Sequence, residues 1–394
     1  MINSGDIQSL LKKLRAASPG TIFLLADGLY TLARNQSVEV NTPRVTIRSA
    51  SGNRDAVILE GGYNNVSINT DDVTVADVTL RNAKDHSIQV RGEKGIKRTS
   101  IYNVHLVDSG QQFVKVSAPA DGTSGQAAED GLVACSLVEY TTYSRGNGTT
   151  APSYTNGVDI LAGKGWTIRD NVFRRIRSQA GPVGPSIYLG RNTTDSVVQR
   201  NLLVDCWRGI ALGLSAPGKF SRGGPQVQSD HQNGLVENNV FLALHEPADA
   251  AIENNYALNS RIVHNTAYYN ENLKHAVSWA IEYRFPPTAG IVIQNNLTNR
   301  PIVKRRPAPI EEATIQGNIT NATPAWFRDL ANEDVHLVEH VPAIDAGVQT
   351  SESLEDMDGE KRLVGPGPDA GADEYTGLAP KQEAPPPPLR SSGQ

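Results

Sequence analysis

The chain has 394 residues, with 37 basic against 42 acidic side chains and a formal net charge of −5. Without a basic stripe, nucleic acid is not the expected partner, and two cysteines, Cys135 and Cys206, exclude a disulfide scaffold or a cysteine zinc site. An apolar fraction of 39% excludes a disordered chain, and no apolar run of about 18 residues exists to span a membrane.

In chain order, Ile7, Leu10, Leu11 and Leu14 recur at helical spacing and predict a capping helix within residues 1–20. The N-terminus carries no secretory apolar segment, so the expected form is a mature secreted or periplasmic protein whose leader has been removed. From 21 to 340 a short unit recurs in which apolar positions lead into Asn. Its copies are Ser100-Ile101-Tyr102-Asn103, Ile168-Arg169-Asp170-Asn171, Val198-Gln199-Arg200-Asn201, Val236-Glu237-Asn238-Asn239, Val263-His264-Asn265, Ile293-Gln294-Asn295-Asn296 and Ile315-Gln316-Gly317-Asn318. Val133-Ala134-Cys135-Ser136 fits the frame with Ser in the Asn place, and both cysteines read as small buried thiols.

Between these units lie second apolar alternations such as Val114-Lys115-Val116, Val158-Asp159-Ile160, Ile187-Tyr188-Leu189 and Ile281-Glu282-Tyr283. Runs of three to five residues at period two are strands and too short for helices. Several short strands per turn with an Asn at one corner predict an all-β, right-handed, single-stranded parallel β-helix. Asn tolerates a left-handed turn, and its amide is expected to bond the Asn of the next coil. Residues 341–378, with the acidic Gly turns Asp356-Met357-Asp358-Gly359-Glu360 and Asp369-Ala370-Gly371-Ala372-Asp373-Glu374, read as an end cap able to hold a cation. Residues 379–394 read as a Pro-rich solvated tail.

Stacked coils turn one outward position into a column. Read this way, Gln89, Lys115, Asp159, Tyr188, Ala211, Glu253, Glu282 and Val303 share a wall, with Gly190, Gly213, Arg284 and Arg305 two residues further on. Gly190 and Gly213 are expected to let a ligand approach the sheet. Insertions at 118–130, 141–155, 178–184, 215–233 and 271–278 bracket the middle of that wall and should enclose a cleft for an extended polymer. Trp166, Tyr188, Trp207 and Tyr283 are candidates for stacking sugar rings. Lys115, Glu253, Glu282 and Arg284 would add polar contacts to the substrate, and His231 on the longest insertion would close over it.

The layout resembles the β-helix polysaccharide lyases of the alginate lyase and chondroitin B lyase group. That family carries an acidic metal ligand on one strand, a Lys five residues on, and an Arg on the next coil. Here Asp159 is followed by Lys164, and the next coil supplies Arg191 in Ile187-Tyr188-Leu189-Gly190-Arg191. The resemblance implies Lys164 as base, Arg191 as its assistant, and Asp159 as a ligand of Ca²⁺ that neutralises a uronate carboxylate. Gly157 stands where the family has a second acidic residue. The expected reaction is β-elimination on an acidic polysaccharide by a monomer needing no organic cofactor, with Tyr188 and His231 as alternative bases. Three other readings stay open: a glycoside hydrolase using the Glu253/Glu282 pair, a uronate C5-epimerase, and a β-helix that binds glycan without turning it over.

Overall fold

The computed structural model describes residues 1–120, 125–305 and 310–377. The tail expected at 379–394 and residues 121–124 of the first insertion lie outside them. Among the described residues, three parallel sheets of 11, 10 and 10 strands run the length of the molecule, each strand pairing with its counterpart one coil on. This is the right-handed parallel β-helix that the repeat predicts. Its core is built from alternation. In the third sheet, Val114 and Val116, Val158 and Ile160, and Ile187 and Leu189 all point inward and are buried, each stacked on its equivalents in the neighbouring coils.

The corner between the first and second sheets carries the Asn residues. Asn171 Nδ2 donates to Asn201 Oδ1, Asn201 to Asn239, Asn239 to Asn265, Asn265 to Asn296 and Asn296 to Asn318, at 2.8–3.0 Å. Each Oδ1 also accepts the backbone N–H of the residue before it in the column, and Ser136 N–H donates to Asn171 Oδ1. Buried amides are costly unless every donor and acceptor is met, and here each is met by the next copy of itself.

One part of the expectation is corrected. The left-handed residue is the one before the laddered Asn: Cys135, Asp170, Arg200, Asn238, His264, Asn295 and Gly317 all have positive φ. The turn and the ladder are therefore separate tasks on adjacent positions. Asn103 performs only the first, because Val104 occupies the ladder position and takes its hydrogen bond from backbone to Ser136 Oγ.

The helix Ile7–Arg15 covers the first coil with Ile7, Leu10 and Leu14. Asp6 caps its N-terminus by accepting Ser9 N–H, and Lys12, Lys13 and Arg15 complement its C-terminal dipole. After the last ladder strand, Thr314–Gln316, the strands Phe327–Asp329 and Asp334–Leu337 pair antiparallel. The segment that follows folds back along the flank of the last coils. Phe327, Val335, Leu337, Ala343 and Ala372 pack there on Val240, Leu242, Tyr268 and Leu297. Its polar groups close on one another: Asp356 accepts the N–H groups of Asp358, Glu360 and Glu374, and His336 bonds Asp334 and Asp358 through its two ring nitrogens. Among the described residues, no helix is long and apolar enough to cross a membrane.

Candidate active site

The register of the third sheet decides where the outward residues meet. Gln89 pairs with Lys115, Lys115 with Asp159, Asp159 with Tyr188, Tyr188 with Ala211, Ala211 with Glu253, and Glu253 with Glu282. The expected column exists. Its middle lies at the floor of an open cleft of about 380 Å³, lined by Lys115, Asp159, Tyr188 and Arg191 and walled by residues 153–156 and 214–221 of two insertions.

Four groups on the floor form two hydrogen-bonded pairs. Lys115 Nζ donates to Asp159 Oδ2 at 2.6 Å. The other oxygen, Asp159 Oδ1, is buried and has no hydrogen-bond partner among the described residues. Tyr188 donates its hydroxyl to Asp230 Oδ2 at 3.1 Å. Asp230 also accepts the backbone N–H groups of Arg191, Leu214 and Ser215, so it pins the end of the Tyr188 strand to the base of the second wall. Burial raises the Asp230 carboxyl, and those N–H groups and the phenol pull it back down. Burial, and then the Asp230 and Asp159 charges, hold the Tyr188 phenol well above its ordinary value, so it faces the cleft as a neutral donor. Arg191 is half-buried at the rim, with its guanidinium 5.5 Å from the Phe220 ring centre.

The structure moves several expected residues. Lys164 is exposed in a short column with Lys97, Glu129 and Thr194, at the corner beyond the third sheet and outside the cleft lining. The left-handed Ala162 turns the chain away from the sheet just before it. Trp166 is 1% exposed and donates Nε1–H to Ala128 O inside the stack, so it cannot receive a sugar. His231 is fully buried beside Ser196, with its pKa pushed down to about 3 by burial, and is neither a lid nor a base. It belongs to a small extra sheet (Thr193–Thr194, His231–Gln232, Ala257–Leu258) whose alternation sends it inward and its neighbour Asp230 into the cleft. Trp207 is half-buried beside the start of Ile210–Leu212 and does not line the cleft, and Tyr283 is buried.

Glu253 and Glu282 sit on adjacent coils, as expected, yet they are 2% and 0% exposed beneath Arg208, Arg284 and Arg305. Covered carboxylates cannot flank a glycosidic bond, which removes the hydrolase reading of that pair. The expected ligand space at Gly190 and Gly213 is taken by the protein itself: a Cβ would strike the Tyr188 hydroxyl at 190 and the Asn255 carbonyl at 213. Asp230, Tyr154 and Phe220 are residues that the sequence did not single out. The last two are 53% and 43% exposed on the opposing walls.

The donor set does not fit calcium. Ca²⁺ takes about six to eight oxygens, whereas the cleft offers one free carboxylate oxygen, with the Lys115 ammonium bound to the other. Both Asp230 oxygens are already used, and a side chain at 157 would run into the Phe173 ring. Asp159 is therefore the partner of a lysine and not one of a set of metal ligands.

No protein-family model matches the sequence, and no curated protein does. Solved structures do match, at the level of fold. A pectate lyase, Pel9A, superimposes with a TM-score of 0.59 over 92% of this chain and 90% of its own, at 13% identity. The catalytic unit of a GH87 α-1,3-glucanase from Streptomyces thermodiastaticus strain HF3-3 gives 0.53 over 80% and 61%, at 11% identity. An alginate lyase from Paenibacillus sp. str. FPU-7 gives 0.44 over 74% and 96%, at 15% identity. The likeness to the pectate lyase thus extends along most of the chain as architecture.

Proposed function

We propose that the protein is a secreted, monomeric lyase that cleaves a uronic-acid-containing polysaccharide by β-elimination in the cleft over the third sheet. The observation that carries this reading is the Lys115–Asp159 pair, held at 2.6 Å on the cleft floor with the second Asp159 oxygen free. Elimination needs a base at C5 of the uronate, a cation at its carboxylate and a proton for the departing O4. To act as the base, Lys115 Nζ must meet the substrate as the free amine, its ammonium proton given up beforehand. It takes the C5 proton, the electron pair forms the C4–C5 double bond, and the C4–O4 bond breaks. The new ammonium then returns a proton to O4. Arg191 at the rim receives the carboxylate and the negative charge that builds on it. Tyr188, kept neutral and pinned by Asp230, orients the sugar by hydrogen bonding, while Tyr154 and Phe220 offer ring faces from the two walls.

In this reading the role that the family likeness gives to Lys164 falls to Lys115, and no step runs through a metal ion. The test is a panel of alginate, chondroitin, heparinoid, pectin and glucuronan, with and without chelator, read by the ultraviolet absorbance of the unsaturated product. Absorbance that rises with one of them and survives the chelator is the expected result. New reducing ends without absorbance would mean hydrolysis, and a changed sugar ratio by NMR alone would mean epimerisation.

A further inference from the structure

Beyond the cleft, the third sheet continues for four more coils, and its outer face changes character. Glu253 and Glu282, in register on adjacent coils, are about 4.8 Å apart along the stack. Two buried carboxylates at that spacing repel each other and lose hydration, and an apolar pair would avoid both costs. Three guanidiniums are fixed above them. Arg305 donates to Glu282 Oε2 at 2.7 Å and lies over the Trp279 ring at 4.5 Å. Arg284 Nε sits 3.2 Å from Glu282 Oε1 and donates to Asn255 Oδ1 at 3.3 Å, with its guanidinium over Phe285 at 4.5 Å. Arg208 Nε donates to Asp249 Oδ2 at 2.9 Å, and its Nη1 lies 3.8 Å from Glu253 Oε2.

Each arginine is thus anchored from below and keeps side-chain exposure of 19–32% toward solvent. The layer beneath them is not fully paired. Glu253 Oε2 and Asn255 Nδ2, on residues 2% and 0% exposed, have no hydrogen-bond partner among the described residues. Asp249, Glu253 and Glu282 neutralise the arginines only if all three are ionised. Burial, with Glu282 and Asp249 adding to it and Arg208 and Arg284 opposing it, moves the Glu253 carboxyl up to about 7. A Glu253 carboxyl held neutral leaves three guanidiniums over two carboxylates, an excess of positive charge.

We propose that Arg208, Arg284 and Arg305 form an anion-binding tier that extends the cleft along the third sheet and takes carboxylates of a polyuronate, with Glu253 and Glu282 as positioning residues beneath. Arg284 lies three coils from Tyr188, about 14 Å along the stack, a distance only an oligomer of several sugars bridges. The identity of the ligand rests on the elimination reading, but the tier's occupancy can be measured without turnover.

The experiment is calorimetric binding of a uronate disaccharide and a uronate octasaccharide to the full chain, for wild type, Arg284→Gln, Arg208→Gln and Arg284→Lys. The ratio of octasaccharide to disaccharide affinity should fall about tenfold in each Gln variant, as expected for losing a charge-assisted pair, and recover partly in Arg284→Lys. Disaccharide binding reports a folded cleft in every variant, so misfolding is recognised separately. A ratio unchanged in both Gln variants, or no wild-type preference for the longer oligomer, overturns the tier. Length-dependent binding without unsaturated product leaves the tier standing and sinks the elimination. Product formation with an unchanged ratio does the reverse.

Discussion

Two polar regions of this molecule are built from the same repeat and treat their hydrogen bonds in opposite ways. At the corner between the first two sheets, every laddered Asn from 171 to 296 donates to the next and accepts in turn. On the outer face of the third sheet, Asp159 Oδ1, Glu253 Oε2 and Asn255 Nδ2 are buried without hydrogen-bond partners among the described residues. Where the residue type repeats from coil to coil, polar groups are consumed in holding the coils together. Where it changes at every coil, as in Lys115, Asp159, Tyr188, Ala211 and Glu253, the polar groups are not all paired within the stack.

Breaking each region should therefore break a different property. The largest effect is expected at the floor of the cleft. Lys115→Ala should lower the rate of unsaturated-product formation by about a thousandfold, because it removes the proton acceptor, and should also lower the unfolding midpoint, because it leaves the buried Asp159 carboxylate unpaired. An unchanged rate would remove Lys115 from the chemistry.

Next comes the corner. Asn239→Ala takes the shared acceptor Asn239 Oδ1 from the Asn201 side-chain amide and backbone N–H and removes the side-chain donor to Asn265 Oδ1, which keeps only the backbone N–H of residue 239, all of them buried. A loss of about 2–4 kcal/mol in denaturant unfolding follows, with turnover by the remaining folded protein retained. Asn318→Ala, at the half-buried end of the column, should cost about 1 kcal/mol. Equal losses at the two positions would mean that the column does not act as a continuous stack.

A smaller effect belongs to the walls. Phe220→Ala removes a half-exposed ring that Arg191 and Lys219 flank, and should raise KM about fivefold with kcat nearly constant.

The smallest effect lies in the C-terminal segment, whose polar groups are paired as at the corner but include charges. Burial works against the charged His336 ring, yet Asp358, Asp373 and Asp334 hold its pKa up at about 9. Burial lifts Asp373 to about 7. Both folded values lie above the unfolded ones. The Asp373 contribution is complete below about pH 4 and is lost as pH rises through 7, and the His336 contribution is complete below about 6.5 and is lost through 9. The midpoint of thermal unfolding should drop by about 3 °C between pH 6 and pH 9, and His336→Gln should flatten the basic half of that fall. A midpoint that climbs with pH would contradict the assignment.

The fold was legible because its signals are periodic. The Val/Ile alternation marks the strands, the recurring Asn marks the corner, and the register of the third sheet follows from both. Hence Lys115, Asp159 and Tyr188 fall on one wall by alternation alone, whereas Arg191 is pointed to only by the likeness to the lyases. Residues off the period were not legible in this way. Asp230, Tyr154 and Phe220 stand on or beside insertions, where spacing carries no information about direction. Lys164 and Trp166 lie off the cleft because a single left-handed residue, Ala162, ends the strand and starts a corner whose geometry the alternation does not announce. The burial of Glu253 depends on Arg208, which lies before its strand and outside the outward series.

The Asn column also has a sense. All its side-chain amides point their N–H toward the higher-numbered neighbour, so every coil presents an acceptor on one side and a donor on the other. A whole turn duplicated or excised between two such amides meets matching polarity at both new junctions, whereas a turn inserted backwards would set like against like. The molecule can thus grow or shorten by complete turns, lengthening the surface it offers to a polymer without any redesign of its interior.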